Sequence, residues 1–186
     1  MRSVFLMCLL LLCCIFSLHA QYKPACYIEV NIDDLYSTHS THFPGLSAGI
    51  NRKVGKVWDL GISAGAAYTP SHPDNGWEIK HLLLIPVYVN QYLNFSREKR
   101  INPFLHLEEG ITLSNYNRSD AVGTPFYHVR EAGFYGYFGA GICSDNRKKI
   151  GCKMEAGLKG YKLSFNNLDI NPHGFAMSLG LRYRLS

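Results

Sequence analysis

Strict alternation of side-chain type over residues 175–185 is the feature that most constrains this chain. The odd positions are all apolar (Phe175, Met177, Leu179, Leu181, Tyr183, Leu185), and the even positions are small or cationic (Ala176, Ser178, Gly180, Arg182, Arg184). Successive residues of a strand point to opposite faces, so one face of this strand is apolar and the other is not. A tilted strand of about eleven residues is long enough to cross a bilayer. The pattern therefore predicts a membrane-crossing strand.

The N-terminus has the layout of a secretory signal peptide. Arg2 supplies a positive start, and residues 4–16 are an unbroken apolar run. The short segment Leu18-His19-Ala20 then ends in a small residue, after which cleavage is expected. The run is too short for a membrane-spanning helix. We predict that residues 1–20 are cleaved and that residues 21–186 form one domain. A lipoprotein anchor at Cys13 or Cys14 is the alternative, disfavoured by the large Leu11-Leu12 before it.

The charge of the mature chain excludes a nucleic-acid footprint. Loss of Arg2 leaves 18 Lys and Arg against 14 Asp and Glu, a net charge of +4. These bases are spread along the chain and are not grouped in one patch. We therefore expect no nucleic-acid partner.

Eight segments alternate in the same way as the last one and are predicted to be strands. They are residues 26–33, 45–52, 57–68, 78–95, 102–114, 130–143, 150–163 and 175–185. The fourth is the least regular, and Pro86 within it predicts a bulge or bend, because proline removes a ladder hydrogen bond. Connections after the second, fourth and sixth segments are short and basic, whereas residues 34–44, 69–77, 115–129 and 164–173 read as longer polar loops. Short turns, long loops and an even strand count are typical of outer-membrane barrels. The predicted fold is all-β: a single eight-stranded antiparallel up-and-down transmembrane β-barrel.

The face opposite the apolar one collects the charged residues. It is assigned six acids and five bases: Glu29, Asp33, Asp59, Glu108, Glu131, Glu155, Lys80, Lys153, Lys159, Arg182 and Arg184. Eight strands enclose a space that side chains can fill, and buried charges need partners. A near-balanced set therefore predicts a lumen plugged by paired charges. A secreted soluble barrel, with its apolar face inside, is the alternative that parity alone leaves open.

These features resemble the small outer-membrane β-barrel domains of Gram-negative bacteria, of the Bacteroidota type. The segments that carry the resemblance are the ending Leu18-His19-Ala20, Leu84-Ile85-Pro86-Val87-Tyr88-Val89, Asn102-Pro103-Phe104-Leu105, Gly110 and the closing Gly180-Leu181-Arg182-Tyr183-Arg184-Leu185. The resemblance implies location in the cell outer membrane, contact with lipopolysaccharide and folding by the barrel-assembly machinery. The family usually ends in an aromatic residue, whereas this chain ends in Leu185-Ser186 and offers Tyr183 instead.

Two groups of residues have side chains of the kind that form a metal site or a disulfide. His39 and His42, with Asp33 and Asp34, could hold a divalent metal in the first polar loop. A solvated loop is the plainer interpretation, and we expect no metal. Cys143 and Cys152 flank a turn and invite a hairpin disulfide, but parity points Cys143 inward and Cys152 outward.

An acyl hydrolase acting on lipid A would need a nucleophile with a histidine base. His106 with Glu108 and Ser114, or His81, supply the nearest candidates. A satisfied lumen contact is the plainer interpretation of His106 and Glu108. We expect no enzyme activity, no catalytic residue and no cofactor.

The predicted function is that of an integral outer-membrane protein with a structural or surface-interaction role. Its exposed loops would contact host or extracellular molecules, because loops carry such specificity. The alternatives are a narrow solute channel, a lipid A-modifying acyl hydrolase and a secreted soluble ligand-binding barrel.

Overall fold

The structure, a computed structural model, describes residues 25–74, 77–96, 100–119, 125–144, 149–163 and 171–185. The signal peptide predicted at residues 1–20 lies outside this part. Among the described residues, no helix is long and apolar enough to cross a membrane.

The described chain folds into eight antiparallel strands, each hydrogen-bonded to its neighbours in sequence, with β1 closing on β8. The strands are β1 (Cys26–Ser37), β2 (His42–Val54), β3 (Trp58–Asp74), β4 (Trp77–Asn94), β5 (Ile101–Ser119), β6 (Tyr127–Ser144), β7 (Ile150–Tyr161) and β8 (His173–Arg184). The predicted eight-stranded up-and-down barrel is thus confirmed. We call the end that holds Cys26 and Leu185 the terminal end, and the opposite end the rim.

The register of the ladders sets the tilt of the strands. Following ladder partners once around the barrel from Val54, on β2, leads back to Pro44 on the same strand, 54 − 44 = 10 residues nearer the rim. A shift of this size in eight strands corresponds to a tilt of roughly 40° from the barrel axis. In the direction from β2 to β3 to β4, each step from a residue to its ladder partner on the next strand is therefore also a step toward the rim.

The predicted faces are the observed ones. Alternating positions along each strand expose large apolar side chains, among them Ile32, Ile62, Phe138, Leu158 and Leu179, all more than half exposed. The opposite positions are buried in the lumen and are mainly polar, charged or tyrosine. This exposed apolar face, which we call the belt, runs around the whole barrel and is what a hydrocarbon environment requires.

The strands at the rim are longer than expected, which corrects the predicted loops at 34–44, 69–77 and 115–129. The first is strand except around a turn near Ser40, and in the third β5 extends to Ser119 and β6 starts at Tyr127. In the second, β3 runs on through Pro70. Polar and turn-forming side chains do not stop a hairpin ladder, because the backbone groups still pair with each other outside the membrane. Residues 164–170 of the fourth predicted loop lie outside the described residues.

A bulge in β4 corrects the predicted position of Lys80. The β4–β5 register shifts between Lys80 and Leu83, and His81 has a φ of 54°. One extra residue exchanges the inward and outward positions on the rim side of the bulge. The Lys80 side chain is therefore 42% exposed beside Glu78 and does not enter the lumen. The distortion that sequence predicted at Pro86 does not shift the register there, where Pro86 lies opposite Thr112.

Candidate functional site

Lys153 lies at the centre of the lumen and joins two carboxylates. Its Nζ donates to Glu29 Oε1 at 2.6 Å, to Glu155 Oε1 at 2.9 Å and to the Tyr92 hydroxyl at 3.0 Å. The Lys153 side chain is fully buried. Glu155 lies on β7 with Lys153, whereas Glu29 comes from β1 and Tyr92 from β4, so two of the three bonds connect different strands across the lumen.

Glu29 receives further donors from the neighbouring strand β8 and from β4. Arg182 Nε donates to Glu29 Oε2 at 2.7 Å, and the Tyr92 hydroxyl donates to Glu29 Oε1 at 2.6 Å. The Arg182 guanidinium also lies over the Tyr92 ring, 4.7 Å from its centroid. Both oxygens of this buried carboxylate therefore have cationic partners, which offsets the cost of removing it from water.

His106 lies between two carboxylates at the same level of the lumen. Its Nδ1 is 2.9 Å from Glu155 Oε2, and its Nε2 is 3.5 Å from Glu108 Oε1. The imidazole stacks on the Tyr92 ring with centroids 3.9 Å apart. The Glu108 carboxylate accepts its hydrogen bond from the Tyr135 hydroxyl.

A second ion pair lies nearer the rim. Lys159 pairs with Asp33 across the lumen. The Tyr135 ring is tilted against Tyr88 and Tyr161, with centroids about 5 Å from each. A cavity lined in part by Asp33, Lys159 and Glu108 has room for about one water molecule.

The charged residues assigned to the lumen fall into three groups. The central ones form the network just described, together with Asp59, which accepts from Tyr27 and Asn94. Glu131 is half-buried near the rim, where Tyr116 donates to it at 2.8 Å. Lys80 is outside. Sequence identified most members of the network but not the way in which they pair.

The residues considered for acyl hydrolysis do not form a nucleophile–base pair. His106 is held by the lumen carboxylates, whereas the Ser114 hydroxyl donates to the carbonyls of Glu131 and Leu163. His81 is exposed at the bulge, with its Nδ1 3.0 Å from the Tyr68 hydroxyl. The lumen contact is the interpretation that the geometry of His106 fits.

The histidines considered for a metal point in different directions. His42 pairs with Asp34 on the outside of the barrel at 2.7 Å. His39 lies at the rim against the rings of His72 and His173, with centroids 5.4 and 6.2 Å away. Among the described residues, no group of three His, Cys, Asp or Glu is placed to hold a metal ion.

Cys143 and Cys152 lie on opposite faces, as parity predicted. Cys143 is buried, with its Sγ 3.5 Å from Asn102 Nδ2, whereas Cys152 is exposed. The ladder partner of Cys143 is Lys153, not Cys152. The structure therefore has two thiols here and no hairpin disulfide.

Solved structures share this fold. Neisserial surface protein A has a TM-score of 0.57 and 9% identity, covering 86% of this chain and 96% of its own. A major outer membrane protein from Thermus thermophilus has a TM-score of 0.56 and 7% identity, covering 87% and 100%. The N-terminal β-barrel domain of Pseudomonas aeruginosa OprF has a TM-score of 0.51 and 15% identity, covering 87% and 97%.

No family model matches the sequence, and no curated protein sequence matches it either. At these identities the structural likeness shows the fold: a small outer-membrane-type barrel. Together with the apolar outward face, this fold is that of an integral outer-membrane protein.

Proposed function

We propose that this chain is a closed outer-membrane barrel of a Gram-negative bacterium, with a structural or surface-interaction role. The observation that carries the proposal is the network around Lys153, in which side chains from β1, β4, β7 and β8 meet across the lumen. Such a network supports a plugged barrel better than a water-filled passage, because each charge has a partner that would have to move before a solute could pass.

The outward face favours an integral membrane protein over the secreted binding barrel. Large apolar residues such as Ile62 and Leu158, each 66% exposed, would face water in a soluble barrel. A patch of this size has no soluble explanation without a covering partner. Insertion into a bilayer supplies that cover on every strand.

The rim supports contact with lipopolysaccharide. Arg130 is exposed on the outward face of β6, and Lys80, outside the barrel on β4, lies over the ring of Phe126, which precedes β6. Cations next to aromatic residues at this end of the belt suit phosphate groups with acyl chains below them. Host or extracellular molecules are the other partners that we propose for the rim.

The last strand supports recognition by the barrel-assembly machinery. In β8 the alternation continues outward through Leu181 and Tyr183, the latter 46% exposed near the terminal end. We propose that Tyr183, as an outward aromatic residue of β8, forms part of the signal that this machinery recognises.

Ion conductance in planar bilayers tests the closed lumen. We expect no regular conductance steps from the wild-type protein, because the lumen ion pairs leave no continuous path. The matched control is the double variant Glu29→Ala with Arg182→Ala, which deletes the opposed pair from β1 and β8 and should conduct. Regular steps from the wild-type protein would contradict the proposal and favour the narrow channel. Loss of acyl chains from lipid A on expression would instead favour the enzyme.

A further inference from the structure

Two hydrogen-bonding side chains lie on the lipid-facing side of the barrel. Gln91 on β4 and Glu109 on β5 occupy outward positions of otherwise apolar strands, with Glu109 exposed and Gln91 half-buried. Leu107 and Ile111, two residues either side of Glu109 on β5, face outward as well. Neither the Gln91 side chain nor the Glu109 side chain makes a hydrogen bond or ion pair with another described residue, although both backbones are paired in the sheet. In hydrocarbon such groups are costly, and they commonly mark a functional contact.

The register puts these two side chains one above the other. Gln91 is the ladder partner of Leu107, and Glu109 is two residues nearer the rim. With strands about 4.8 Å apart, a rise of about 3.3 Å per residue and a tilt of about 40°, the step from Gln91 to Glu109 is roughly 8 Å. On the same geometry the step runs within roughly 10° of the barrel axis. Both side chains therefore leave the barrel in the same direction.

Aromatic residues extend this line at both ends. Repeating the same step, one strand across and two residues toward the rim, leads from Glu109 to Phe134; reversing it from Gln91 leads to Trp58. Three steps of about 8 Å span the roughly 25 Å height of an outer-membrane apolar band. We call Trp58, Gln91, Glu109 and Phe134 the column. It has aromatic residues at both membrane edges and polar residues between them.

The surface next to Glu109 has a recess. Its ladder partner on β6 is Gly136. A Cβ built at Gly136 would meet nothing closer than the Glu108 carbonyl oxygen at 4.0 Å. A neighbouring side chain can therefore approach the Glu109 carboxyl from this side.

We propose that the column is the centre of a two-fold symmetric interface between two copies of this chain in the membrane. A two-fold axis along the membrane normal brings each residue opposite its own copy at the same depth. Because the column runs parallel to the barrel axis, one such axis serves Gln91 and Glu109 together. The two Gln91 amides, each both donor and acceptor, bond to each other; the two Glu109 carboxyls share a proton in a hydrogen bond.

The chemistry of the belt favours a second copy over a cationic partner on the same molecule. Between the levels of Gln91 and Glu109, the outward positions of the described strands carry apolar residues, among them Val30, Ile62, Val89, Phe138 and Leu179, and no basic residue. Another chain must therefore supply the hydrogen bonds, and the column is complementary to itself.

The test is single-molecule photobleaching of fluorescently labelled protein in liposomes over a range of protein-to-lipid ratios. We expect the wild-type protein to dimerise, and Glu109→Leu and Gln91→Leu each to weaken the dimer at least about tenfold, roughly 1.4 kcal/mol. Glu109→Gln keeps a hydrogen-bonding group and should keep the dimer. The matched control is Ile32→Ala, which truncates an outward residue on β1, on the opposite side of the barrel, and should change nothing. A heat-dependent gel shift verifies that every variant is folded.

A cross-linking experiment fixes the position of the axis. Val89 and Leu107 flank the column on its two sides, so the two-fold operation places Leu107 of one copy opposite Val89 of the other. With Cys26, Cys143 and Cys152 replaced by Ser, a mixture of Val89→Cys and Leu107→Cys proteins should cross-link more than either protein alone. Each of three results would overturn the proposal. They are a wild-type protein that stays monomeric, a Glu109→Leu variant that dimerises as strongly as the wild-type protein, and mixed proteins that cross-link no more than either protein alone.

Discussion

Leu179→Arg is expected to lower the free energy of unfolding by about 2–4 kcal/mol, the cost of a cation facing lipid near mid-bilayer. Leu179 is 53% exposed on β8, and its ladder partners, Ile32 and Met154, are exposed and apolar too. An arginine here would be surrounded by apolar side chains and acyl chains, away from water. Denaturant unfolding in liposomes, extrapolated to zero denaturant, measures the change.

Tyr183→Arg is the matched control on the same face of the same strand. Tyr183 lies four residues nearer the terminal end, where the cost of an outward arginine falls to about 0–1 kcal/mol. The difference between the changes in unfolding free energy of the two variants separates the effect of depth in the membrane from any general effect of an arginine on β8. Equal costs, or a neutral Leu179→Arg, would contradict the outward assignment of the apolar face.

Lys153→Met is expected to cost about 3–5 kcal/mol, because removing one member of a buried ion pair leaves its partners uncompensated. Glu29 and Glu155 would each lose their bond to Nζ, and both carboxylates are buried away from bulk water. Methionine fills a similar volume, so the loss reports on charge and not on a cavity. The same unfolding assay measures it, and the variant should still be retained in the membrane.

A double-mutant cycle with Glu155→Gln separates the pair from its surroundings. We expect Lys153→Met and Glu155→Gln together to cost less than the sum of the two single changes, since each single change strands the other charge. Additive effects, or a cost for Lys153→Met below about 1 kcal/mol, would mean that water screens the lumen charges. The closed-lumen proposal would then fail.

Period-two alternation made the strand count and the two faces predictable. It works because a strand has only two faces, so residues such as Ile62 and Leu158 could be placed outside and Glu29 and Lys153 inside. What alternation does not contain is the register between strands. The bonds that join Lys153 to Glu29 depend on a ten-residue shift around the barrel that no single strand encodes.

The errors at β4 have one local cause. A single extra residue at His81 reverses the faces toward the rim, which moved Lys80 from the lumen to the outside. The sequence predicts a distortion at Pro86, because proline disturbs a strand ladder. The strand is instead distorted at His81, which has a positive φ. The signal for such a bulge is a break in the alternation itself, visible where Ile79 and Leu82, three apart, both point inward.

Glu109 shows the reverse case, in which the sequence carried the signal and the prediction did not use it. Its odd position on β5 already placed a carboxyl on the apolar face, between Leu107 and Ile111. Only the register with β4 and β6 reveals Gln91 beneath it and Gly136 beside it.

Electrophoresis of the isolated outer-membrane fraction, with and without boiling, tests the central claim most directly. A folded barrel resists the detergent until heated, so the account predicts a band in that fraction whose mobility changes on boiling. A protein that stays in the soluble fraction and migrates identically before and after boiling would contradict it, because the exposed apolar belt would then have no bilayer to face.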